Sequence, residues 1–378
     1  MTSCGIICEY NPFHTGHAFQ LEEVKRCFDA AVCVMSGDFV QRGESAFSDK
    51  EKRAANALEN GADIVLELPF PFSSMSAEGF ARAGIEILSK SGLCTHFAFG
   101  SECADIDLLK ETSKIVSETG FEKNVKQILS DNPSIGYARA RSKYVAKGFG
   151  EKYAGVLENP NDILAVEYLK ANNALSNPMI PVAIKRSTPR QSKDAKFASS
   201  SYIRKNIKDA KLDEVKTYLP YETDICDYYT DDSRFYEFLK LCLSLKTPDE
   251  LKGIAEVSGG VHHAIVKNAV LKNSYEELLE NLANKGTTDA KVRRMLLFCL
   301  FGVEKKYLKE SVAFTRVLAM DETGQKLLSE TRKNRNIIIA GKASHVKENE
   351  NARRQYDLAE KARRVLYSCR ERLSPKED

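Results

Sequence analysis

The chain has 378 residues, room for two domains with separate cores, and its 43% hydrophobic and 29% charged content excludes a disordered or fibrous protein. A net charge of +3 excludes a uniformly polycationic one. The charge is uneven, however: residues 331–378 hold 13 Lys and Arg against 7 Asp and Glu, which on charge alone fits a solvated surface helix better than a polyanionic partner.

Residues 3–8 are a short apolar run that predicts a strand, and 15–28 follow with helical spacing. Further strands are predicted over 30–35, 63–68, 95–99 and 179–184, that over 63–68 closed by Pro69 and that over 95–99 by Gly100. Helices are predicted over 50–59, 77–89, 105–120, 135–147 and 161–174, the last opened by Asn159-Pro160. Strands alternating with crossover helices imply a parallel sheet in an α/β fold, and their near-continuous apolar character fits burial on both faces. Residues 36–44 are polar and Gly-containing, and 187–198 lack any apolar period, so both read as loops. Serines at 199–201 start another helix, predicted over 199–207.

The character changes after about 211. Apolar residues recur at helical spacing over 235–245, 271–282, 290–301 and 351–373, and only 336–340 is strand-like. A boundary is expected near 210, dividing an α/β domain over 1–210 from a mostly helical C-terminal domain over 211–378. Ten cysteines occur without a CxxC pair, and the 6 histidines show no zinc-ligand spacing, so no metal site is expected. No apolar run reaches a membrane span and no signal peptide is recognised, so a reduced, cytoplasmic setting is expected.

The first strand-to-helix turn holds Glu9-Tyr10-Asn11-Pro12-Phe13-His14-Thr15-Gly16-His17. Ligands bind at this position in open α/β sheets, where free N–H groups and the positive end of the helix dipole face an anion. His14 and His17, three apart, can both donate to phosphate oxygens, and Gly16 permits close approach. The same residues also read as a helix start with two capping or packed histidines.

HxGH on this turn resembles the HIGH-motif nucleotidyltransferase superfamily, which includes cytidylyltransferases, pantetheine-phosphate adenylyltransferase and class I aminoacyl-tRNA synthetases. The longer string from Glu9 to His17 is similar to the bacterial tRNA(Met) cytidine acetate ligase family. So are Met35-Ser36-Gly37-Asp38-Phe39-Val40-Gln41-Arg42-Gly43-Glu44, Asn60-Gly61-Ala62-Asp63 with its following strand, Phe99-Gly100-Ser101-Glu102, Asn159-Pro160-Asn161-Asp162, Ile184-Lys185-Arg186 and Ser199-Ser200-Ser201-Tyr202-Ile203-Arg204. The likeness thins beyond 210 but persists at Arg316-Val317-Leu318 and Gly324.

The resemblance implies a Rossmann-like parallel sheet of the HIGH type and an enzyme that activates acetate with ATP as acetyl-adenylate, Mg2+ accompanying the triphosphate. The acetyl group then passes to the wobble cytidine of elongator methionine tRNA. It implies a nucleotide site in the loop from Ile7 through Cys8, Glu9, Tyr10, Asn11, Pro12, Phe13, His14, Thr15, Gly16, His17, Ala18 and Phe19 to Gln20, assisted by Gly100, Asn161 and Arg186. Arg204, in the second phosphate-clamping signature, joins His14 and His17 as a catalytic candidate. Physically, Gly100 leaves space at a strand end, Asn161 offers amide donors and acceptors, and Arg186 a planar fork for phosphate. Singly, each also reads as a turn, a cap or a surface ion pair.

Gln41-Arg42-Gly43-Glu44 and the nearby Lys50 are candidates for the acetate or tRNA side, with Arg42 suited to a small carboxylate or simply a solvated loop residue, and Asp38 for a phosphate or magnesium role. Two departures from the family pattern stand out. Asp162 replaces the usual Asn, placing an acid beside the expected nucleotide. Residues 187–193 lack the usual aromatic-His-Asp cluster. At the basic end, Arg293, Arg294, Arg353 and Arg364 are tRNA-binding candidates, the last two eleven apart on one helix face. Tyr356 and Tyr367 in that stretch fit base stacking or core packing. Besides the ligase, two functions stay open: an adenylyl- or cytidylyltransferase acting on a small phosphorylated metabolite, and a non-catalytic RNA-binding scaffold.

Overall fold

The computed structural model describes residues 1–132, 135–186, 197–209, 211–221, 228–230, 232–283 and 287–372. Strands β1 (Ser3–Cys8), β2 (Ala30–Ser36), β3 (Ile64–Leu68), β4 (His96–Ser101) and β5 (Ile180–Lys185) run parallel in the order β5-β4-β1-β2-β3. Cys4 of β1 stands opposite Ala31 on one side and His96 on the other. The chain thus winds outward from β1 to β3 and then crosses back to β4. The order reverses between β1 and β4, and such a reversal leaves a crevice at the carboxyl ends of the two strands. This is the α/β fold expected.

Helices cover both faces, so β2 and β3 are buried throughout. Alternate side chains enter different cores: Ala30, Val32 and Val34 join one cluster, Ala31, Cys33 and Met35 the other. Each fully buried Val or Met contributes about 1.5–3 kcal/mol relative to exposure.

The structure adds an element that the sequence pattern did not reveal. Val317–Met320 pairs antiparallel with β3 as the sixth strand, with a shift of register between Val65 and Leu66. Four residues are too few to count a period of two. Core packing also spans position 210: Phe70 contacts Phe301 ring to ring at 5.2 Å, and Phe39 does so at 5.7 Å. Of the run predicted over 271–282, Tyr275–Leu282 is a helix, which Ser274 caps by accepting the Glu277 N–H, while Leu271 ends an earlier helix, Val261–Leu271, that otherwise lies outside the predicted run. The helix predicted over 105–120 ends at Val116, and Phe121–Asp131 starts anew after Gly120. Of 336–340 only Ile338–Ile339 is strand, paired with Phe314–Thr315. Among the described residues no helix is long and apolar enough to cross a membrane.

Candidate active site

The turn after β1 is fixed from beneath. Tyr10 has φ 47 and a fully buried ring, which meets Phe13 edge-on at 4.8 Å while its hydroxyl lies 3.4 Å from Cys33 Sγ. A left-handed, bulky residue is strained, and this burial holds it in place. The buried Asn11 accepts the Phe47 N–H on Oδ1 at 2.6 Å. From the helix Lys50–Glu59, the fully buried Arg53 donates to the carbonyls of Glu9, Ser36, Gly37 and Ser48. One guanidinium thereby ties the ends of β1 and β2 to the loop that follows each.

On this base sits α1 (Thr15–Lys25), with His14 as its N-cap. The Gly16 N–H donates to His14 Nδ1 at 3.0 Å, and the His14 N–H donates to His17 Nδ1 at 3.3 Å. With both Nδ1 atoms accepting, each neutral ring carries its proton on Nε2. The rings stack with centroids 3.7 Å apart and 21° between planes. Burial, helped by the charge of Arg186, pulls His14 down to about 3. Burial, then His14 and Arg186, pulls His17 well below its ordinary value. Both imidazoles are therefore neutral N–H donors near pH 7. A Cβ at Gly16 would stand 2.9 Å from His14 Cε1, so the glycine makes room for the capping ring.

These groups open onto a cavity of about 350 Å³ in the β1/β4 crevice. Its walls bring together Ile7, Cys8, Glu9, Tyr10, Asn11, His14, His17 and Gln20 with Gly100, Asn161, Arg186 and Arg204. Gly16 and Phe19 line a smaller adjoining space of about 80 Å³ behind the histidines. Pro12, Phe13, Thr15 and Ala18 line neither, and Phe13 is fully buried in the core. The apolar wall, including Phe80, Leu164 and Tyr168, was not singled out from sequence, because at helical spacing such residues are indistinguishable from core.

Around the cavity the polar groups hold one another. Arg186 donates to Asn161 Oδ1 at 3.2 Å, and a Cβ at Gly100 would meet its Cγ and Cδ at 3.0 Å. Gly100 therefore clears space for the Arg186 side chain crossing it. Ser199 caps the helix Ser200–Lys208 by accepting the Tyr202 N–H at 3.2 Å, which sets a second helix N-terminus on the cavity rim. Arg204 donates to the Asn11 carbonyl at 2.6 Å and to Ser201 Oγ at 3.4 Å. Burial raises the Glu9 carboxyl above its ordinary value, partly offset by the Gln41 N–H it accepts at 2.8 Å.

Several residues singled out from sequence lie elsewhere. Asp38 and Lys50 are buried and turned inward: Lys50 Nζ lies 2.9 Å from Asp38 Oδ2 and 2.7 Å from Glu67 Oε1. A charge this deep needs its partner, so neither faces the cavity. Asp162 also points away, accepting the Ser101 hydroxyl and the N–H groups of Glu102 and Cys103. It closes the turn after β4 and does not line the cavity. Arg294 is buried and forked onto Glu256 at 2.8 Å, which removes it as a surface contact for RNA. Arg293 pairs with Glu44 at 3.0 Å, while Arg353 and Arg364 are exposed on the helix Glu350–Ser368. Tyr356 packs under Arg316, 4.4 Å from its guanidinium carbon, and against Phe314. The departure in 187–193 lies outside the described residues. Among the described residues no three His, Cys, Asp or Glu side chains are grouped as a metal site.

The family model described as HIGH Nucleotidyl Transferase matches residues 1–378. The tRNA(Met) cytidine acetate ligase of Clostridium perfringens is 34% identical over 371 residues, covering 92% of this chain and 91% of that protein. The chain belongs to the tRNA(Met) cytidine acetate ligase family of HIGH nucleotidyl transferases. A second member of this family, from Fusobacterium nucleatum, is 34% identical over 350 residues, with 88% of this chain and 85% of that protein covered. The crystal structure of Thermotoga maritima TmcAL bound with alpha-thio ATP superposes with a TM-score of 0.87 at 30% identity, covering 96% of this chain and 93% of that one.

Proposed function

We propose that this chain is an ATP-dependent ligase that joins acetate to AMP and passes the acetyl group to the wobble cytidine of elongator methionine tRNA. The name shared by its relatives and the ATP-analogue complex of the Thermotoga protein support this. The observation that carries it is the stacked pair His14 and His17, both neutral with Nδ1 held by a backbone N–H, on the wall of a 350 Å³ cavity shared with Arg186 and Arg204.

In the first step an acetate oxygen attacks the α-phosphorus of ATP. The new P–O bond forms as the bond to the bridging oxygen breaks, and pyrophosphate leaves with the electron pair. Charge grows on the non-bridging and leaving oxygens. His14 and His17 donate to them as fixed dipoles. Arg186, Arg204 and the N-terminus of Ser200–Lys208 hold the departing pyrophosphate. Mg2+ is expected to arrive with the triphosphate and to neutralise part of its charge. Arg42, exposed on the cavity rim, suits a small carboxylate held by two N–H groups.

Arg353 and Arg364 are assigned to tRNA phosphates in this proposal, and the 211–378 region to tRNA binding. A cytoplasmic location follows from such a substrate. Nucleotide transfer to a small phosphorylated metabolite is not favoured, because the relatives that match over nine-tenths of the chain are tRNA(Met) cytidine acetate ligases. The test is incubation with ATP, Mg2+ and labelled acetate, with and without bacterial tRNA. Label recovered as acetylcytidine, and lost in His14→Ala, is expected. Absence of label from folded protein that binds ATP overturns the proposal.

A further inference from the structure

A second cavity, of about 230 Å³, lies beside the first and shares two of its walls, Glu44 and Arg204. Its remaining surface comes from three places far apart in sequence. The loop at Phe47 forms one side and Lys205 and Lys208 of the helix Ser200–Lys208 another. Phe235, Tyr275 and Arg293, on three helices of the C-terminal half, form the third. The contact between halves is close. Gly43 has φ +77, and a Cβ there would stand 2.6 Å from the Arg294 backbone nitrogen, so the loop rests backbone to backbone on the helix Asp289–Phe301.

We propose that this second cavity receives the acceptor cytidine, with Glu44 taking the exocyclic amine. This deepens the ligase proposal and rests on it. Three observations carry it. Phe235 and Tyr275 form an edge-to-face pair, centroids 5.6 Å apart, that is mostly buried but makes up part of the cavity wall, and an unstacked RNA base can rest against such rings. Lys205 is exposed at the wall beside Lys208 and suits the flanking phosphates. A carboxylate is the natural partner of a cytosine N4 amino group, which presents only N–H donors. Glu44 is the carboxylate here: Oε1 is held by Arg293 at 3.0 Å, and Oε2 is 3.8 Å from Arg204, beyond hydrogen-bond range and able to accept.

Since Glu44 and Arg204 belong to both cavities, an amine bound to Glu44 faces the acyl carbon of an adenylate in the first. The amine nitrogen attacks that carbon and the N–C bond forms. The bond from carbon to the phosphate oxygen breaks, and AMP leaves with the electron pair. The amine proton passes to Glu44 and then to solvent.

The experiment compares two rates in the full chain: acetate-dependent ATP–pyrophosphate exchange, which needs no tRNA, and acetyl transfer to tRNA. In Lys205→Glu, a surface change, and in Tyr275→Leu, which keeps an apolar side chain, the ratio of transfer to exchange is expected to fall at least about tenfold, with KM for tRNA raised. In Glu44→Gln the ratio falls through kcat, since the amide cannot take the proton. Ratios unchanged in all three variants overturn the site while leaving the ligase intact. An unmodified chain that shows neither reaction overturns the ligase proposal and this site with it.

Discussion

His17 is stacked on His14, 3.7 Å between ring centroids, and the Nδ1 of each ring is occupied by a backbone N–H. Two neutral donors are thus aimed by the same bonds that start α1. Protonating either ring would expel an N–H from Nδ1 and bury a charge. His14→Ala removes one donor and the cap together, and is expected to lower acetate-dependent pyrophosphate exchange by about 10²–10³-fold. Unchanged exchange in a folded His14→Ala protein would place the phosphate chemistry elsewhere.

The same pair makes stability depend on pH in a definite direction. In the unfolded chain a histidine titrates near 6.5, whereas folded His14 is held down to about 3. Between those values the unfolded state binds a proton that the folded state does not. Stability is therefore full above about pH 6.5 and is lost progressively as pH falls toward 3. His17, lowered for the same cause, adds to the loss. Urea unfolding at pH 7 and pH 5 is expected to show a drop that is smaller in His14→Gln, in which one of the two groups no longer titrates. An equal drop in both proteins contradicts the assignment.

Much of the site was legible before the structure, for a physical reason. The strand, the turn and the helix start that bear His14, Gly16 and His17 are contiguous, and local geometry dictates what a helix N-terminus can hold. What the sequence left obscure was contact across distance. Nothing near Lys50 shows that its amine is buried between Asp38 and Glu67, and nothing near Asp162 shows that it closes the turn after β4. The sixth strand pairs residues some 250 positions apart, such as Ile64 with Met320, and no short window contains both. Arg294 looked like a surface cation beside Arg293, yet helix geometry turns neighbours about 100° apart, and only Arg293 reaches the cavity rim.

Lys50 gives a prediction about the sheet ends. Burial pushes the Glu67 carboxyl up, but Lys50 and Arg316 together pull it below the ordinary range. Its contribution is present above about pH 4.5 and is lost as pH falls through the lowered folded value. Lys50→Met leaves Asp38 and Glu67 without their shared cation and is expected to cost about 3–5 kcal/mol at pH 7. The gap between wild type and variant should narrow on acidification, because protonated Glu67 no longer needs the amine. Chemical denaturation at pH 7 and pH 4 measures both effects.

Gly43 tests the docking of the 41–47 loop. At φ +77 an L side chain is strained, and its Cβ would strike the Arg294 backbone. Gly43→Ala is expected to destabilise by about 1–3 kcal/mol. It should also lower acetyl transfer to tRNA more than pyrophosphate exchange, since Glu44 next to it spans both cavities. Thermal unfolding and the two assays report these separately, and a variant as stable as wild type would mean that the loop does not rest on the helix as described.

Asp162 offers the sharpest contrast between what position in the sequence suggests and what the fold does with it. It adjoins Asn161, which lines the cavity proposed for the nucleotide, yet its own carboxylate is fully buried and does not line it. Oδ1 accepts the Ser101 hydroxyl at 2.5 Å and the Glu102 N–H at 2.8 Å, and Oδ2 accepts the Cys103 N–H at 3.2 Å. In return the Asp162 N–H donates to Glu102 Oε2 at 3.0 Å. Asp162→Asn keeps one accepting oxygen and turns the other into a donor facing an N–H. The expected cost is about 1–3 kcal/mol of stability, from one unsatisfied buried donor, with KM for ATP unchanged. Urea unfolding and an ATP titration of pyrophosphate exchange separate the two. If stability holds and KM for ATP shifts instead, Asp162 reaches the nucleotide after all, and the turn after β4 is held by Ser101 alone.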